Sequence, residues 1–269
     1  MSPDRNKKSP LEQPPYETFE VLGIPIMAVS LDKASELIAD WSNDKIGRYV
    51  GVREVASTVA LSETSELLNV ARGAAMNVPD GMPLVWIGRR RGLNVSRTCG
   101  PDLMEQLLTQ EPGVSLKHFF YGGKEGVADI LKQKFSKRSD QLQVVGTHCP
   151  PFRELTNEEN EAVLEKIKAS GADVVWVGIS SPKQDIWMAQ NAHKTQATMI
   201  GVGAAFDFHS GSIKRAPKWM QRSGLEFLHR LCSEPSRLWR RYLIMAPRFV
   251  WRITIGEKKE NADESRETR

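Results

Sequence analysis

At 269 residues, with 40% hydrophobic and 26% charged content, the chain is long enough for one large domain or two small ones, and it can fill a sizeable core, which excludes a disordered polymer. The net charge of +4 is modest but placed: residues 210–252 hold ten Lys or Arg against two Glu, a local +8, so the remainder is net acidic by about four. Three scattered cysteines, Cys99, Cys149 and Cys232, follow no CxxC or Cys/His ligand spacing, which argues against a disulfide framework and a zinc site and fits a reducing cytoplasm.

Residues 1–17 are polar and Pro-bearing, with no apolar run after their charges, so a standard export signal is not expected, and no stretch is apolar enough to cross a bilayer. This segment and the charge-dense tail 256–269 are expected to be flexible. "FEVLGIPIMAVS" reads as two short strands around Gly23, followed by a Ser30-capped helix whose Leu31, Ala34, Leu37, Ile38 and Trp41 share one face. "RYVGVREV" reads as a strand, "STVALSETSELLNVAR" as helical, "AAMNV" as a short strand, and "GMPLVWIGRRRG" as a helix closed by Gly92. "LKHFFYGG", "QLQVVGTH", "ADVVWVGI" and "ATMIGVG" are further strands. Between them lie the helices "KEGVADILKQKFSKR", "TNEENEAVLEKIKASG" and "SPKQDIWMAQNAHK", the last starting from a Ser cap. The alternation predicts an α/β fold with a Rossmann-like, largely parallel sheet over residues 18–209. From about residue 210 the strands stop, and 210–255 reads as a helical appendage punctuated by Pro217, Pro235 and Pro247.

In open α/β sheets ligands bind beyond the carboxyl ends of the strands. Four such ends put Gly, Ser or Asp at a strand-to-helix turn: "NVPDGMP", "YGG", "VGISSPKQ" and "GVGAAFDF". Asp80, after a strand and before Gly, either caps the next helix or serves a site. Asp207, between Phe206 and Phe208, is either bonded to nearby backbone N–H groups or functional. No GxGxxG with a following acid and no GxxxxGK[ST] occurs, so a dinucleotide dehydrogenase and a P-loop NTPase are unsupported. There is no DxD, HExxH or GxSxG, and Cys99 has no evident His partner; neither a tightly held metal nor covalent catalysis is indicated.

The basic segment could meet nucleic acid, a membrane or a small anion. It carries no helix-turn-helix or RNA-binding signature, and Trp219, Trp239 and Trp251 sit among Leu, Ile and Phe as packing residues would. Lys218 and Arg252 are expected on a solvated face. "PSRLWRRYLIMA" instead reads as a basic amphipathic helix of the kind that rests on anionic lipid.

Taken in order, "NVPDGMPLVW", "RTCGPDLM", "FFYGGKEGVA", "VVGTHCPPFR", "VWVGISSPKQDIWM" and "IGVGAAFDFHSGSIKRAPKWMQRSGLEFLHRLCSEPSRLWRRYL" resemble the WecG/TagA/CpsF family of bacterial glycosyltransferases, from about residue 20 to 252. The resemblance implies a Rossmann-like core with a C-terminal helical appendage. It also implies an inverting transferase, with no metal required, that moves a sugar from a UDP-sugar to a sugar on a polyprenyl diphosphate. The enzyme would be cytoplasmic and peripheral on the inner face of the membrane. On the matching motifs, the proposed base falls on Asp80, with Arg97 and Gln184 beside it, and the appendage arginines implicated in the site fall on Arg230, Arg237 and Arg240.

On that reading the loops carrying Gly122, Gly123, Gly178, Gly201 and Gly203 would hold the nucleotide diphosphate, and Asp207 a sugar or ribose hydroxyl. The expected partners are the two substrates and the membrane surface, with no nucleic acid; self-association is left open. One departure stands out: where the family shows a Thr, Asn or His pattern after the strand at 50–58, this chain has "VGVREVAST". That departure keeps a second reading, a catalytically inactive nucleotide-sugar or lipid-binding module.

Overall fold

The computed structural model describes residues 16–255, so most of the two tails lies outside the described residues. The chain enters through a β-hairpin, β1 (Thr18–Val21) and β2 (Ile24–Met27), paired antiparallel with Val21 opposite Ile24. Its two turn residues, Leu22 and Gly23, both have positive φ, the geometry that matches the twist of a tight hairpin. Ser30 then caps α1 (Leu31–Asn43), its Oγ accepting the Lys33 N–H at 3.2 Å.

The main sheet follows: β3 (Arg48–Arg53), β4 (Met76–Pro79), β5 (Lys117–Gly122), β6 (Gln143–His148), β7 (Val174–Gly178) and β8 (Thr198–Gly201). They lie in the order β4-β3-β8-β7-β5-β6, and every pairing is parallel. Parallel strands buried on both faces read as near-continuous apolar runs, as "VVWVG" does, and where His118 interrupts "HFFYG" its ring is hydrogen-bonded to the Gly113 carbonyl at 2.9 Å. One face packs against α1, α5 (Gly100–Thr109) and α6 (Val127–Ser136), the other against α7 (Asn157–Ser170) and α8 (Lys183–Asn191). The last strand, β8, inserts between β3 and β7, so the chain leaves this point in opposite directions and opens a crevice at the carboxyl ends.

Three local expectations change. Residues 55–72 form two helices, α2 (Val55–Leu61) and α3 (Ser65–Arg72), because Thr64 caps the second one afresh. Residues 100–109, unassigned from sequence, form α5, with Pro101 in its first turn where a missing N–H costs nothing. Helix α8 does not start from a Ser cap: its N-cap is Pro182, and Ser181 Oγ instead donates to Asp185 at 2.6 Å.

After α4 (Met82–Arg90) and α9 (Ala205–Ser210), the described chain beyond residue 217 contains only helices: α10 (Lys218–Arg222), α11 (Glu226–Ser233) and α12 (Pro235–Arg240). A π-helical turn, Arg241–Met245, carries α12 into a further helical run over 246–255. Among the described side chains of the appendage, Ala216, Leu238 and Phe249 are buried. Trp219, Trp239 and Trp251 are not packing residues; they are 64%, 42% and 67% exposed. Arg252 is not on a solvated face either, since its guanidinium donates to Ser62 Oγ at 2.9 Å and holds the last helix to the core.

Candidate functional site

A cavity of about 290 Å³ occupies the crevice, floored by the carboxyl ends of β3, β4, β7 and β8 and roofed by α10, α11 and the π turn. Its walls bring together Asp80, Arg97, Gln184, Gly201, Gly203 and Arg230, which are 150 residues apart in sequence at the extremes. They also bring in Glu54, Glu226 and Arg241, which were not singled out from the sequence.

Asp80 is placed by main-chain geometry first: its N–H donates to the Arg53 carbonyl at 2.7 Å, tying the end of β4 to the end of β3. The carboxylate does not cap α4, whose N-cap is Gly81 with no side-chain bond; it faces Arg97, whose Nη2 donates to Oδ1 at 3.1 Å. Arg97 Nε donates to the Asp80 carbonyl at 2.6 Å, while Nη2 also reaches Glu226 Oε2 at 2.7 Å and Nη1 the Gln221 carbonyl at 3.4 Å. Arg97 thus bridges core and appendage, with all three nitrogens engaged. Burial pushes the Asp80 carboxyl above its ordinary range; Arg97 opposes this, but Glu226 and Glu54 reinforce it.

Glu54 performs two roles. Its side chain accepts the N–H groups of Ala56 and Ser57 at the start of α2, a reciprocal cap, and also the Arg241 guanidinium at 2.6 Å. Burial raises its pKa, yet Arg241 and the two N–H groups outweigh burial and hold it below the ordinary range. Arg230 is the contrasting case. It is mostly buried against the Phe208 ring, 5.3 Å away, and its Nε and Nη2 find no hydrogen-bond partner; the nearest carboxylate oxygen, on Glu234, is 4.0 Å off. A buried guanidinium with unmet donors on a cavity wall is a place where an anion can be bound.

Gln184 lies over the end of β8, its Oε1 accepting the Gly203 N–H at 3.1 Å. A Cβ on Gly201 would sit 2.7 Å from Met188 Cε and 2.9 Å from Gln184 Nε2, so a side chain there would displace Gln184. Gly122, Gly123 and Gly178 do not line the cavity. They let the ends of β5 and β7 meet beneath Phe206: Gly123 N–H donates to the Gly178 carbonyl at 3.0 Å, and a Cβ on Gly178 would stand 2.9 Å from the Phe206 ring. Asp207, half-buried in α9, is also off the walls, and Arg240 is exposed, stacked 5.2 Å from the Trp239 ring. The side chain of Arg237 lies outside what the structure describes.

Cys99 is buried at the start of α5, its Sγ 2.8 Å from Asp102 and 3.1 Å from Arg215. The residues missed from sequence share a cause. Glu54 reads as part of the strand "RYVGVREV", and Glu226 and Arg241 look like surface charges on short helices until the appendage docks. Local chemistry gave little signal for Glu54, because Ser, Thr, Asp and Asn are the usual N-caps and Glu is not.

The family model of the glycosyl transferase WecG/TagA/CpsF family matches residues 19–263. That span takes in the hairpin, the whole parallel sheet, the cavity and the helices that roof it. The crevice, the acid within it and the arginine-bearing roof accordingly belong to one matched unit, and the chain is a member of the WecG/TagA/CpsF family of glycosyltransferases, which act in cell-surface polysaccharide biosynthesis.

Proposed function

We propose that this glycosyltransferase moves a sugar, with inversion, from a UDP-sugar to a sugar carried on a polyprenyl diphosphate at the inner face of the membrane, with Asp80 as the general base. The observation that carries the reading is the pairing, in one cavity, of a carboxylate with a raised pKa and a mostly buried arginine with unmet donors. Asp80 takes the proton from the acceptor hydroxyl as that oxygen attacks the anomeric carbon. The bond from that carbon to the donor diphosphate breaks, and the electron pair leaves with UDP. Arg230 is suited to the negative charge that develops on the diphosphate. Arg97 keeps Asp80 in place, and Gln184 presents its carboxamide from the end of β8.

The outer side of the appendage supports a membrane-facing role. Trp219, Trp239, Leu243, Val250 and Trp251 are exposed together with Lys218, Arg240 and Arg248. Among the described residues no helix is long and apolar enough to cross a membrane. The test is to incubate purified protein with a polyprenyl-diphosphate-linked monosaccharide and a panel of UDP-sugars, and to look for a lipid-linked disaccharide and free UDP. One UDP-sugar giving product is the expected result; UDP-binding without any transfer would favour an inactive binding module.

A further inference from the structure

Beneath the cavity lies an ion pair that the chemistry above does not use. Arg53 ends β3, Asp185 lies in the first turn of α8, both side chains are 1% exposed, and Arg53 Nη1 donates to Asp185 Oδ1. Arg53 Nε donates to Asn77 Oδ1 at 2.6 Å, while Ser181 Oγ donates to the other Asp185 oxygen at 2.6 Å. Arg53 Nη2 is buried with no hydrogen-bond partner. Room for the guanidinium comes from Gly51, where a Cβ would fall on it. Gly51 stands opposite Gly201 in the β3/β8 register, and over Gly201 lies Gln184. Two neighbouring strand positions without side chains therefore carry two polar groups, Arg53 over one and Gln184 over the other.

Stability does not explain this choice. A buried ion pair with an orphaned donor bears a desolvation cost that apolar side chains of similar volume would avoid. What the pair supplies is position. The turn from β7 into α8 has Ser180 at φ 69, a left-handed conformation unusual for a residue with a side chain, and the helix has no side-chain cap. Asp185 is the anchor, holding Ser181 directly and adjoining Gln184; Ser181 and Gln184 both line the cavity.

We propose that Arg53 is a positioning residue: through Asp185 it fixes the 180–184 turn so that Ser181 and Gln184 face the ligand. Its effect on nucleotide binding rests on the glycosyl-transfer reading; its effect on the turn does not. The test compares Arg53→Met, Asp185→Leu, their combination and Arg53→Lys, using thermal melting, amide hydrogen exchange over 180–186 and UDP affinity by calorimetry. Each single apolar change strips one partner and should lower the melting temperature, as any buried pair would. In the double variant melting should return close to wild type, yet exchange over 180–186 should stay faster and UDP affinity at least fivefold weaker. Arg53→Lys keeps the charge without the planar fork and should fold with the same two defects in milder form.

Wild-type exchange in a double variant of wild-type stability would overturn the proposal, as would wild-type UDP affinity alongside it. Should the double variant not fold, Arg53→Lys decides by the same two readouts. If wild-type protein itself does not bind UDP, the UDP-sugar reading fails, and the exchange comparison alone decides the positioning role.

Discussion

At the residue scale the site is a balance of charges around Asp80. Burial raises the Asp80 pKa most, Glu226 raises it further, and Glu226 also shares the Arg97 guanidinium that lowers it. A carboxylate base is lost as pH falls through its pKa, so the acidic limb of kcat/KM should lie above the ordinary aspartate value of 3.8. Glu226→Gln removes one negative neighbour and leaves Arg97 to Asp80, so the limb should move to lower pH; a limb that stays put in a pH–rate series would remove Glu226 from the account. Asp80→Asn should lower kcat by about 10² to 10⁴-fold, the usual worth of a general base. Its melting temperature should be no lower than wild type, because a carboxylate whose pKa is raised by folding is destabilised in its charged form. A turnover near wild type in that variant would rule Asp80 out as the base.

Glycine at 178 has a packing reason that turn chemistry does not reveal. A methyl group there would press on the fully buried Phe206 ring, so Gly178→Ala should destabilise by about 1–3 kcal/mol, read by chemical denaturation. Of the glycines expected at a phosphate, Gly123 and Gly178 instead lie against this core aromatic, and Gly122 against the Gly178 backbone. A Gly at a strand end reads the same whether a ligand or a neighbouring backbone approaches it.

At the scale of elements the contact that matters is between α2 and the π turn. Glu54 caps α2 and pairs with Arg241, so the two effects can be separated. Arg241→Ala leaves the cap intact and should loosen the appendage, seen as faster amide exchange over 226–245 with little change in α2. Glu54→Ala should add fraying of α2, the loss of a cap being worth about 1 kcal/mol. Wild-type exchange over 226–245 in both variants would show that the pair does not hold the appendage. The family resemblance pointed to Arg240, but which of two adjacent arginines turns inward depends on how the helix docks. The structure turns Arg241 toward Glu54 and leaves Arg240 outside with Trp239.

At the scale of the whole molecule the charge is sorted. The basic residues that line the cavity are engaged with Glu54, Asp80 and Glu226 or left open at Arg230, while Lys218, Arg240 and Arg248 stand outward beside exposed aromatics. Such a surface should bind vesicles containing anionic phospholipid and release them as salt rises. Trp219→Ala combined with Trp251→Ala should weaken co-sedimentation with those vesicles without changing the melting temperature, because both rings are more than half exposed. Binding that survives the double change would move the contact elsewhere.

The sequence by itself determined the strands and most of the helices of the sheet layer, though not α5 or the break between α2 and α3. Apolar runs of strand length, alternating with Ser-, Thr- or Gly-bounded helical segments, are local signals, and local signals are enough for a parallel α/β sheet. It also marked Asp80, Gly201 and Gly203, because strand ends in such a sheet converge on one edge, and the family resemblance marked Gln184. Only the tertiary structure decided what those residues do to one another. The insertion of β8 between β3 and β7 places residues 54, 80, 184 and 203 around one cavity, and the appendage adds Glu226, Arg230 and Arg241 from beyond residue 217. Charge pairing, burial and orphaned donors are properties of through-space neighbours. Arg53 shows the difference most plainly: in sequence it is one basic residue at the end of a strand, and in the folded chain it is a buried cation between Asn77 and Asp185.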